Sequence, residues 1–495
     1  MDAVWDEYSL DRDVALEMSE HFSYEVPGAQ HSQACKRGRW DGRKKLFNLR
    51  YSALPAGLRD AARDFCERRG YDFREIDPRP LGNVQNSDVA AFFDRIGVPA
   101  GIERREHQLR TVASAVNHRR RLFLSPTSSG KSMSIYGVVR WLEAEGPALV
   151  VVPTIGLLKQ TPKDFLSYGC DPARLHVATT KDPGFDPGTR IVVSTWHTAV
   201  RQEQPWFDRF ATVCGDEAHL FKADSLQHIM QSLGRVRNRL GFTGTLDGSK
   251  TNEMILRGAF GPVEKIISTM ELVELGYVAR PRITIITLSH PEKARAELAA
   301  RVAEARRQLR REKKPVGGAS YMLEIEALGA CEARNRFVAN LVARRLEGNT
   351  LVLFHREEHG LLLADMLRSR TNRQVHFING GVDGLEREDI RQLVMRRDDT
   401  VLVASTGTSS TGINIPNIAN VVFASPWKSR IVNLQSIGRG LRKAEGKDEC
   451  RVYDLADDLT WRGEANHTLN HLVERVKIYC EEGFDHESHR VELSY

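Results

Sequence analysis

From about residue 121 onward the chain alternates short apolar runs with longer stretches of helical periodicity. RLFLSP (121–126), ALVVVPT (148–154), IVVST (191–195), TVCGDEAH (212–219) and GFTGT (241–245) form a first set of predicted strands. After a basic, proline-containing stretch comes a second set: ITIITL (283–288), TLVLFH (350–355), VHFING (375–380), TVLVAS (400–405), NVVFAS (420–425) and RVYDLA (451–456). Apolar runs without polar alternation fit strands covered on both faces, and the helical stretches between them fit crossovers. Each set therefore predicts a parallel α/β domain. The first 86 residues differ: GLRDAARDFCERRGY (57–71) places Leu58, Ala61, Ala62, Phe65 and Cys66 on one helical face, and PRPLGNVQNSD (78–88) reads as a linker. A small α+β module is expected there. Near the end, Leu469, Leu472, Val473, Val476 and Tyr479 recur at helical spacing in a terminal helix. The division expected is 1–86, 87–278, 279–460 and a helical tail over 461–495.

Composition adds bounds rather than identity. A length of 495 residues fits about three domains at roughly 150 residues each. Charged residues at 27% and hydrophobic ones at 41% are those of a globular protein. Lys plus Arg (71) exceeds Asp plus Glu (65) by only 6, which permits an anionic partner without naming one. Seven scattered cysteines with no C-x-x-C pair argue against a disulfide framework or a zinc ribbon, and for a reducing compartment. The acidic, interrupted start is unlike a signal peptide, and no apolar run approaches the ~18 residues of a membrane helix. A cytoplasmic protein without membrane contact is expected.

Candidate chemistry sits at the ends of predicted strands. SPTSSGKS (125–132) follows a strand and opens a helical stretch, the context in which backbone N–H groups face phosphates. Ser128, Ser129 and Gly130 then form the cradle, Lys131 reaches the β and γ phosphates, and Ser132 ligates magnesium. Ser125 replaces the usual first glycine, and a Gly-Ser turn ahead of a helix is the plainer alternative. Asp216-Glu217-Ala218-His219 ends another apolar run, where one carboxylate can hold Mg2+ while its neighbour orients or deprotonates water. A solvated acidic strand end is the alternative. In QSIGRGLRK, Gln435, Gly438, Arg439 and Arg442 form Q-x-x-G-R-x-x-R, with Arg439 and Arg442 three apart and predicted to share a helix face. Guanidinium groups aimed at a γ-phosphate can contribute ~10³ to 10⁵ in rate; a basic surface helix is the alternative.

Taken in order, these motifs resemble those of superfamily 2 helicases. HQ (107–108) is similar to the adenine-reading motif, SPTSSGKS to motif I, VVPTIGLLKQ (151–160) to motif Ia, and STWHT (194–198) to the next nucleic-acid motif. DEAH resembles motif II, TGT (243–245) motif III, LVLFHR (351–356) motif IV, ASTGTSSTGINIP (404–416) motif V and QSIGRGLR (435–442) motif VI. KRGRWDGRKKLF (36–47), then LPAGL and a helix ending CERRGYDF, is similar to the N-terminal domain of the UvsW family of phage helicases. The resemblance implies two tandem RecA-like domains, with a small nucleic-acid-binding module before them and a helical tail after. It also implies an ATP- and Mg2+-dependent motor that unwinds or remodels branched DNA and R-loops, moves 3′ to 5′, and serves phage recombination, replication and repair.

Carried over residue by residue, the resemblance gives Gln108 to adenine, Lys131 and Ser132 to phosphate and magnesium, Asp216 to magnesium, and Glu217 to the role of base. His219, Thr243 and Thr245 would couple hydrolysis to movement, and Gln435, Arg439 and Arg442 would act in trans. Thr154, Thr195, Arg356, Thr406 and Gly412 match positions that grip the nucleic-acid backbone. Asn414 stands where many relatives have Asp, which leaves its nucleotide contact open. The expected partners are forked DNA, single-strand/duplex junctions and RNA–DNA hybrids, and the chain is expected to be monomeric. A duplex translocase working within a larger complex, or a non-catalytic annealing scaffold, are the competing readings. Residues 36–50 support a separate contact: Lys36, Arg37, Arg39, Arg43, Lys44, Lys45 and Arg50 stand against Asp41 alone, interleaved with Trp40 and Phe47. Such a stretch attracts phosphate and can stack a base, unless Trp40 and Phe47 are core residues of a small domain. The basic ARRQLRREKK (305–314) fits a solvated helix, and His467 and His471 fit a structural role.

Overall fold

The computed structural model describes residues 4–26, 28–75, 82–312, 318–382, 384–406, 415–425 and 427–495. They divide into two compact units, Met1–Ile267 and Ser268–Tyr495.

The first unit begins with the small module. Strands β1 (Trp5–Glu7), β2 (Ser23–Glu25), β3 (Arg43–Lys45) and β4 (Ala53–Pro55) form two antiparallel pairs, β1 with β4 and β2 with β3. Helices Arg12–His21 and Arg59–Arg69 close a core of Met18, Phe22, Phe47, Leu54, Leu58 and Phe65. Ala62, Phe65 and Cys66 are the buried face of the second helix, as the periodicity predicts. Met254, from the helix Lys250–Phe260, enters the same core, so the module has no complete core of its own. The approach is close enough to dictate composition. A side chain at Gly57 would place its Cβ 2.0 Å from Arg257 O and 2.7 Å from Gly258 O.

Seven parallel strands follow: β5 (Arg120–Leu124), β6 (Ala148–Val152), β7 (Leu175–Ala178), β8 (Ile191–Thr195), β9 (Thr212–Asp216), β10 (Asn238–Thr243) and β11 (Val263–Lys265). Their order is β11-β5-β10-β9-β6-β8-β7. Residues of β6 and β8 are buried throughout, because helices cover both faces. One charged side chain is also enclosed. Arg239 of β10 donates to the carbonyls of Met230 (2.8 Å), Val236 (2.9 Å) and Leu233, fixing the loop that leads into its strand.

The second unit repeats the architecture with β12 (Arg280–Ser289), β13 (Asn349–Phe354), β14 (Gln374–Ile378), β15 (Thr400–Ser405), β16 (Ile418–Phe423), β17 (Glu449–Asp458) and β18 (Asp485–Glu492). The order is β14-β15-β13-β16-β17-β12-β18, and every pairing is parallel. Two helices, Glu292–Arg311 and Ala319–Ala330, pack on each other between β12 and β13. The first has no buried residue, in line with a solvated basic helix.

Two expectations about the chain's end are adjusted. The tail is helical over His467–Glu481, and the residues beyond it add β18 to the sheet. The face this helix buries is Thr468, Arg475, Ile478 and Tyr479, while Val473 is exposed. The reason is electrostatic. Asp454 lies fully buried on β17, and Arg475 Nε and Tyr479 Oη each approach its Oδ2 at 2.8 Å. A buried carboxylate requires such donors, and their spacing overrides the apolar stripe.

Gly57→Ala should separate the N-terminal module from the helix Lys250–Phe260. A Cβ cannot occupy a site 2.0 Å from a backbone oxygen, so the contact must open at a cost of about 1–3 kcal/mol. Limited proteolysis is expected to release the module in the variant and leave it attached in the parent.

Candidate nucleotide site and nucleic-acid contacts

The phosphate-loop segment runs from the end of β5 to the helix Lys131–Trp141. Ser128 (φ 69°) and Gly130 (φ 84°) both adopt left-handed conformations, which turn successive backbone N–H groups into one concavity. Only glycine does so without strain, and the rigid surroundings hold Ser128 there. Arg105 Nη1 donates to Ser128 O (3.2 Å), His107 Nε2 lies 2.7 Å from Ser129 O, and Gln108 Nε2 donates to Ser129 O (3.2 Å). Gln108 Oε1 accepts from Arg105 N at 3.0 Å, so both ends of that amide are engaged with protein. The motifs assign no role to Arg105 or His107, yet both brace the loop. The hydroxyls of Ser128 and Ser129 are buried without a hydrogen-bond partner, an unmet polar capacity that a phosphate-bearing ligand fits. Lys131 Nζ rests on the carbonyls of Ser125 (3.2 Å) and Pro126 (3.4 Å). Asp164, bonded by Gln160, has its carboxyl raised by burial, with Gln160 and the Ser132 side chain acting the other way. Nothing in the spacing of Asp164, on the helix Ile155–Ser167, could have pointed to it.

Asp216 ends β9, next to β5's neighbour β10 in the sheet order. Burial, then the charge of Glu217, raises the Asp216 carboxyl to about 6, with Lys131 and a backbone N–H acting the other way. Glu217 is left-handed (φ 47°) and its N–H donates to Asp216 Oδ1 at 2.9 Å. His219 Nδ1 lies 2.8 Å from Thr243 Oγ1 and 3.4 Å from Glu217 Oε2. Thr243 Oγ1 in turn donates to Thr245 O (3.2 Å), and Thr243 O accepts from Ser125 N (2.9 Å). The structure thus brings the phosphate loop, the acidic pair and Thr243 to one edge of the sheet. A Cβ on Gly244 would sit 3.9 Å from Lys131 Nζ, which measures how near the TGT turn comes.

Thr154, two residues past β6, and Thr195, the last residue of β8, cap the helices that follow, accepting from Leu157 N (3.3 Å) and Thr198 N (3.4 Å). Thr195 is buried.

In the second unit, Gln435 and Arg439 lie four apart on the helix Arg430–Gly440 and share a face. Arg442 does not share it, contrary to the sequence reading. The helix stops before it, and Arg442 forms a β-bridge with Val278. Burial, then the charge of Arg391, lowers its guanidinium to about 10, and its Nη1 is buried without a partner. Arg356 follows β13 and lines a small cavity with Arg334, His359 and Ser425. Thr406 is buried just past β15; Gly412, Asn414 and the remainder of 407–414 lie outside the described residues.

On the N-terminal module Lys36, Arg37 and Arg39 are exposed. Arg43 is not free for a ligand: its guanidinium binds Glu20 (2.7 Å) and Ser23 O (3.0 Å). Phe47 is core, and half-buried Trp40 donates its indole N–H to Arg43 O (2.8 Å). His467 hydrogen-bonds Ser320 (2.8 Å), and His471 packs on Tyr321. Among the described residues no three His, Cys, Asp or Glu side chains are grouped to hold a metal, and no helix is long and apolar enough to cross a membrane.

Three family models match the chain: "DNA helicase UvsW, N-terminal" over residues 5–77, "Type III restriction enzyme, res subunit" over 101–248, and "Helicase conserved C-terminal domain" over 333–444. The ATP-dependent DNA helicase uvsW of Enterobacteria phage T4 is 29% identical over 500 residues, 96% of this chain and 95% of that protein. The DNA 3'-5' translocase XPB2 of Sulfurisphaera tokodaii is 22% identical, covering 85% of this chain and 92% of that one. Among solved structures, the ATP-dependent Type ISP restriction-modification enzyme LlaBIII bound to DNA shares the fold, with a TM-score of 0.57 at 16% identity over 79% of this chain and 32% of that one.

Gly130→Ala is expected to weaken nucleotide binding at least about tenfold, roughly 1.4 kcal/mol. The added Cβ would lie 2.1 Å from Gln108 Nε2 in a left-handed conformation that costs other residues about 1–2 kcal/mol. Titration with a fluorescent ATP analogue, alongside an unchanged far-UV spectrum, checks this.

Proposed function

We propose that this chain, an ATP-driven enzyme built from superfamily 2 helicase domains and similar along its length to the phage UvsW helicase, remodels branched DNA. The observation that carries the proposal is the extent of that likeness: it runs through residues 5–77, outside both motor folds. The chain's substrates are forks, junctions and R-loops met in recombination, replication and repair, and its direction is 3′ to 5′.

In this reading Gly130 and the loop amides hold the phosphates of ATP, Lys131 neutralises their charge, and Gln108 acts by shaping the loop from behind as well as at the base. Ser132 and Asp216 hold Mg2+, and the orphaned hydroxyls of Ser128 and Ser129 support the fit of a triphosphate here. The cation supplies charge neutralisation at the phosphates. Glu217 orients and deprotonates the attacking water, His219 and Thr243 pass the change to the neighbouring strand, and Arg439, Arg442 and Gln435 sense the γ-phosphate. Arg442's unpartnered Nη1 supports its part. Thr154, Thr195, Arg356 and Thr406 hold the backbone of one strand, a sequence-tolerant grip because phosphate carries no base information.

ATPase stimulation across single-stranded, duplex, forked and RNA–DNA hybrid ligands, with strand displacement on forks and plain duplex, tests the proposal. Stimulation by duplex with no displacement of any fork would instead favour a pure translocase of the kind named among its relatives. Lys131→Ala should abolish DNA-stimulated hydrolysis while DNA binding persists in a filter or anisotropy assay. Replacing exposed Lys36, Arg37 and Arg39 together by Ala should weaken fork binding and reduce the salt slope by about 2 to 3, near 0.9 for each phosphate left unneutralised. Isotherms at several salt concentrations read that slope.

A further inference from the structure

A cluster of titratable side chains in the second unit includes a cysteine, a histidine and a tyrosine that belong to none of the motifs discussed above. His290 follows β12 and is buried. Its Nε2 lies 2.9 Å from Asp457 Oδ1 on β17, and its Nδ1 lies 2.6 Å from Tyr495 Oη. Tyr495 Oη is 3.3 Å from Cys331 Sγ, so the phenol stands between the imidazole and the thiol. Asp457 is fully buried and receives Arg334 Nε on both oxygens at 2.9 Å. Cys331 itself is half-buried and caps the start of the helix Glu332–Arg345, where the dipole favours a negative charge.

The arrangement is a relay of acid, imidazole, phenol and thiol. Asp457 fixes the imidazole and stabilises its charged form, and the charged ring stabilises a thiolate. The electrostatics agree with the geometry. Burial disfavours the His290 cation, but its bonds to Asp457 and Cys331 outweigh this and raise it to about 9. Burial likewise opposes the Cys331 thiolate, yet His290, Tyr495 and the Arg334 N–H together hold the thiol below its ordinary range. The other charges around the cluster are Arg334, bonded to Asp457, and Glu297, which acts on Tyr495 from the helix Glu292–Arg311. The cluster is not a metal site, since no metal-holding group is found among the described residues.

We propose that Cys331 is a modification site, a thiolate that reacts with hydroperoxides and other soft electrophiles. With a hydroperoxide the sulfur attacks one oxygen, an S–O bond forms as the O–O bond breaks, and the leaving oxygen takes a proton from His290. Cys331 becomes a sulfenic acid, and the hydroperoxide is reduced to an alcohol or water.

The test compares Cys331 with Cys480, which is more exposed. The full-length protein is treated with iodoacetamide at pH 6.5, where an S–C bond forms and iodide leaves, and each cysteine's alkylation is followed by peptide mass spectrometry. Exposure alone would label Cys480 first. Thiolate population favours Cys331, because a larger thiolate fraction outweighs the lower intrinsic nucleophilicity that accompanies it, with a Brønsted slope of about 0.4–0.5. Cys331 is expected to react at least about twofold faster, and hydroperoxide followed by dimedone is expected to tag it before the other cysteines. His290→Gln should move the pH–rate midpoint of Cys331 upward, and Tyr495→Phe, which removes one hydroxyl, should move it the same way by less. Slower alkylation of Cys331 than of Cys480 in the parent, or an unmoved midpoint in Tyr495→Phe and in any folded His290→Gln protein, overturns the proposal.

Discussion

A parallel sheet delivers the carboxyl ends of all its strands to one edge, and both units of this chain are built on that constraint. In the first unit β5, β6, β8, β9 and β10 end at Leu124, Val152, Thr195, Asp216 and Thr243. The nucleotide and nucleic-acid motifs begin at those ends or in the residues just after them. Loops at that edge have unpaired backbone groups and helix N-termini with positive partial charge, so anionic ligands are met there without further design. The second unit does the same with Arg356 after β13, Thr406 after β15 and Ser425 after β16. Edge position therefore explains why chemically different motifs, separated by long stretches of sequence, fall together.

Alongside the apolar cores, a few buried arginines pin the chain at particular points. Arg239, Arg334 and Arg475 are among the largest fully buried side chains in the protein. Arg239 is held by three carbonyls, whereas Arg334 and Arg475 meet Asp457 and Asp454. Desolvating such pairs offsets much of their attraction, so their net stabilisation is small. Losing one partner leaves a buried charge that costs about 3–5 kcal/mol. They act as register pins: Arg475 fixes which face of the terminal helix meets β17, and Arg334 ties its helix to the ends of β16 and β17 through Ala424 O and Asp457.

This division between apolar and ionic packing sets what could be read from sequence. The central strands were legible because burial on both faces leaves uninterrupted runs such as ALVVV and IVVS. Strands β7, β11 and β18 were not. Each lies at a sheet edge, and β18, DHESHRVE, is almost wholly exposed and held to β12 by its backbone and by polar side chains such as Glu487 and Arg490. Hydrogen bonding of a polar edge leaves no hydrophobic signature. The terminal helix misled on its buried face because Arg475 reads as solvent-facing unless Asp454 is known to be opposite. Of the candidate site, the phosphate loop and the acidic pair were legible because strand, turn and helix had to follow in that order. The bracing by Arg105, His107 and Asp164 was not, since each acts by where the chain returns to the loop. The break before Arg442 was hidden too, because a three-residue spacing fits a helix and a bridge equally.

The sharing of Thr243 gives these local facts a mechanical meaning. Its carbonyl accepts Ser125 N at the root of the phosphate loop, while its hydroxyl meets His219 and the carbonyl of Thr245. His219 stands within 3.4 Å of Glu217, whose left-handed backbone stores about 1–2 kcal/mol of strain. A displacement of Glu217 therefore bears directly on the imidazole. Nor can the strands slip to absorb it, because β9 and β10 are hydrogen-bonded neighbours along five residue pairs from Asn238 to Phe242. Thr243 also leads into the TGT turn, which lies beside Lys131 on one side and is continuous with Leu246 and Asp247 on the other. Asp247 is in turn fixed by Lys222, Asn252 and Ser249. The acidic pair, the phosphate loop and the turn that follows β10 are thus joined by one continuous set of hydrogen bonds through Thr243.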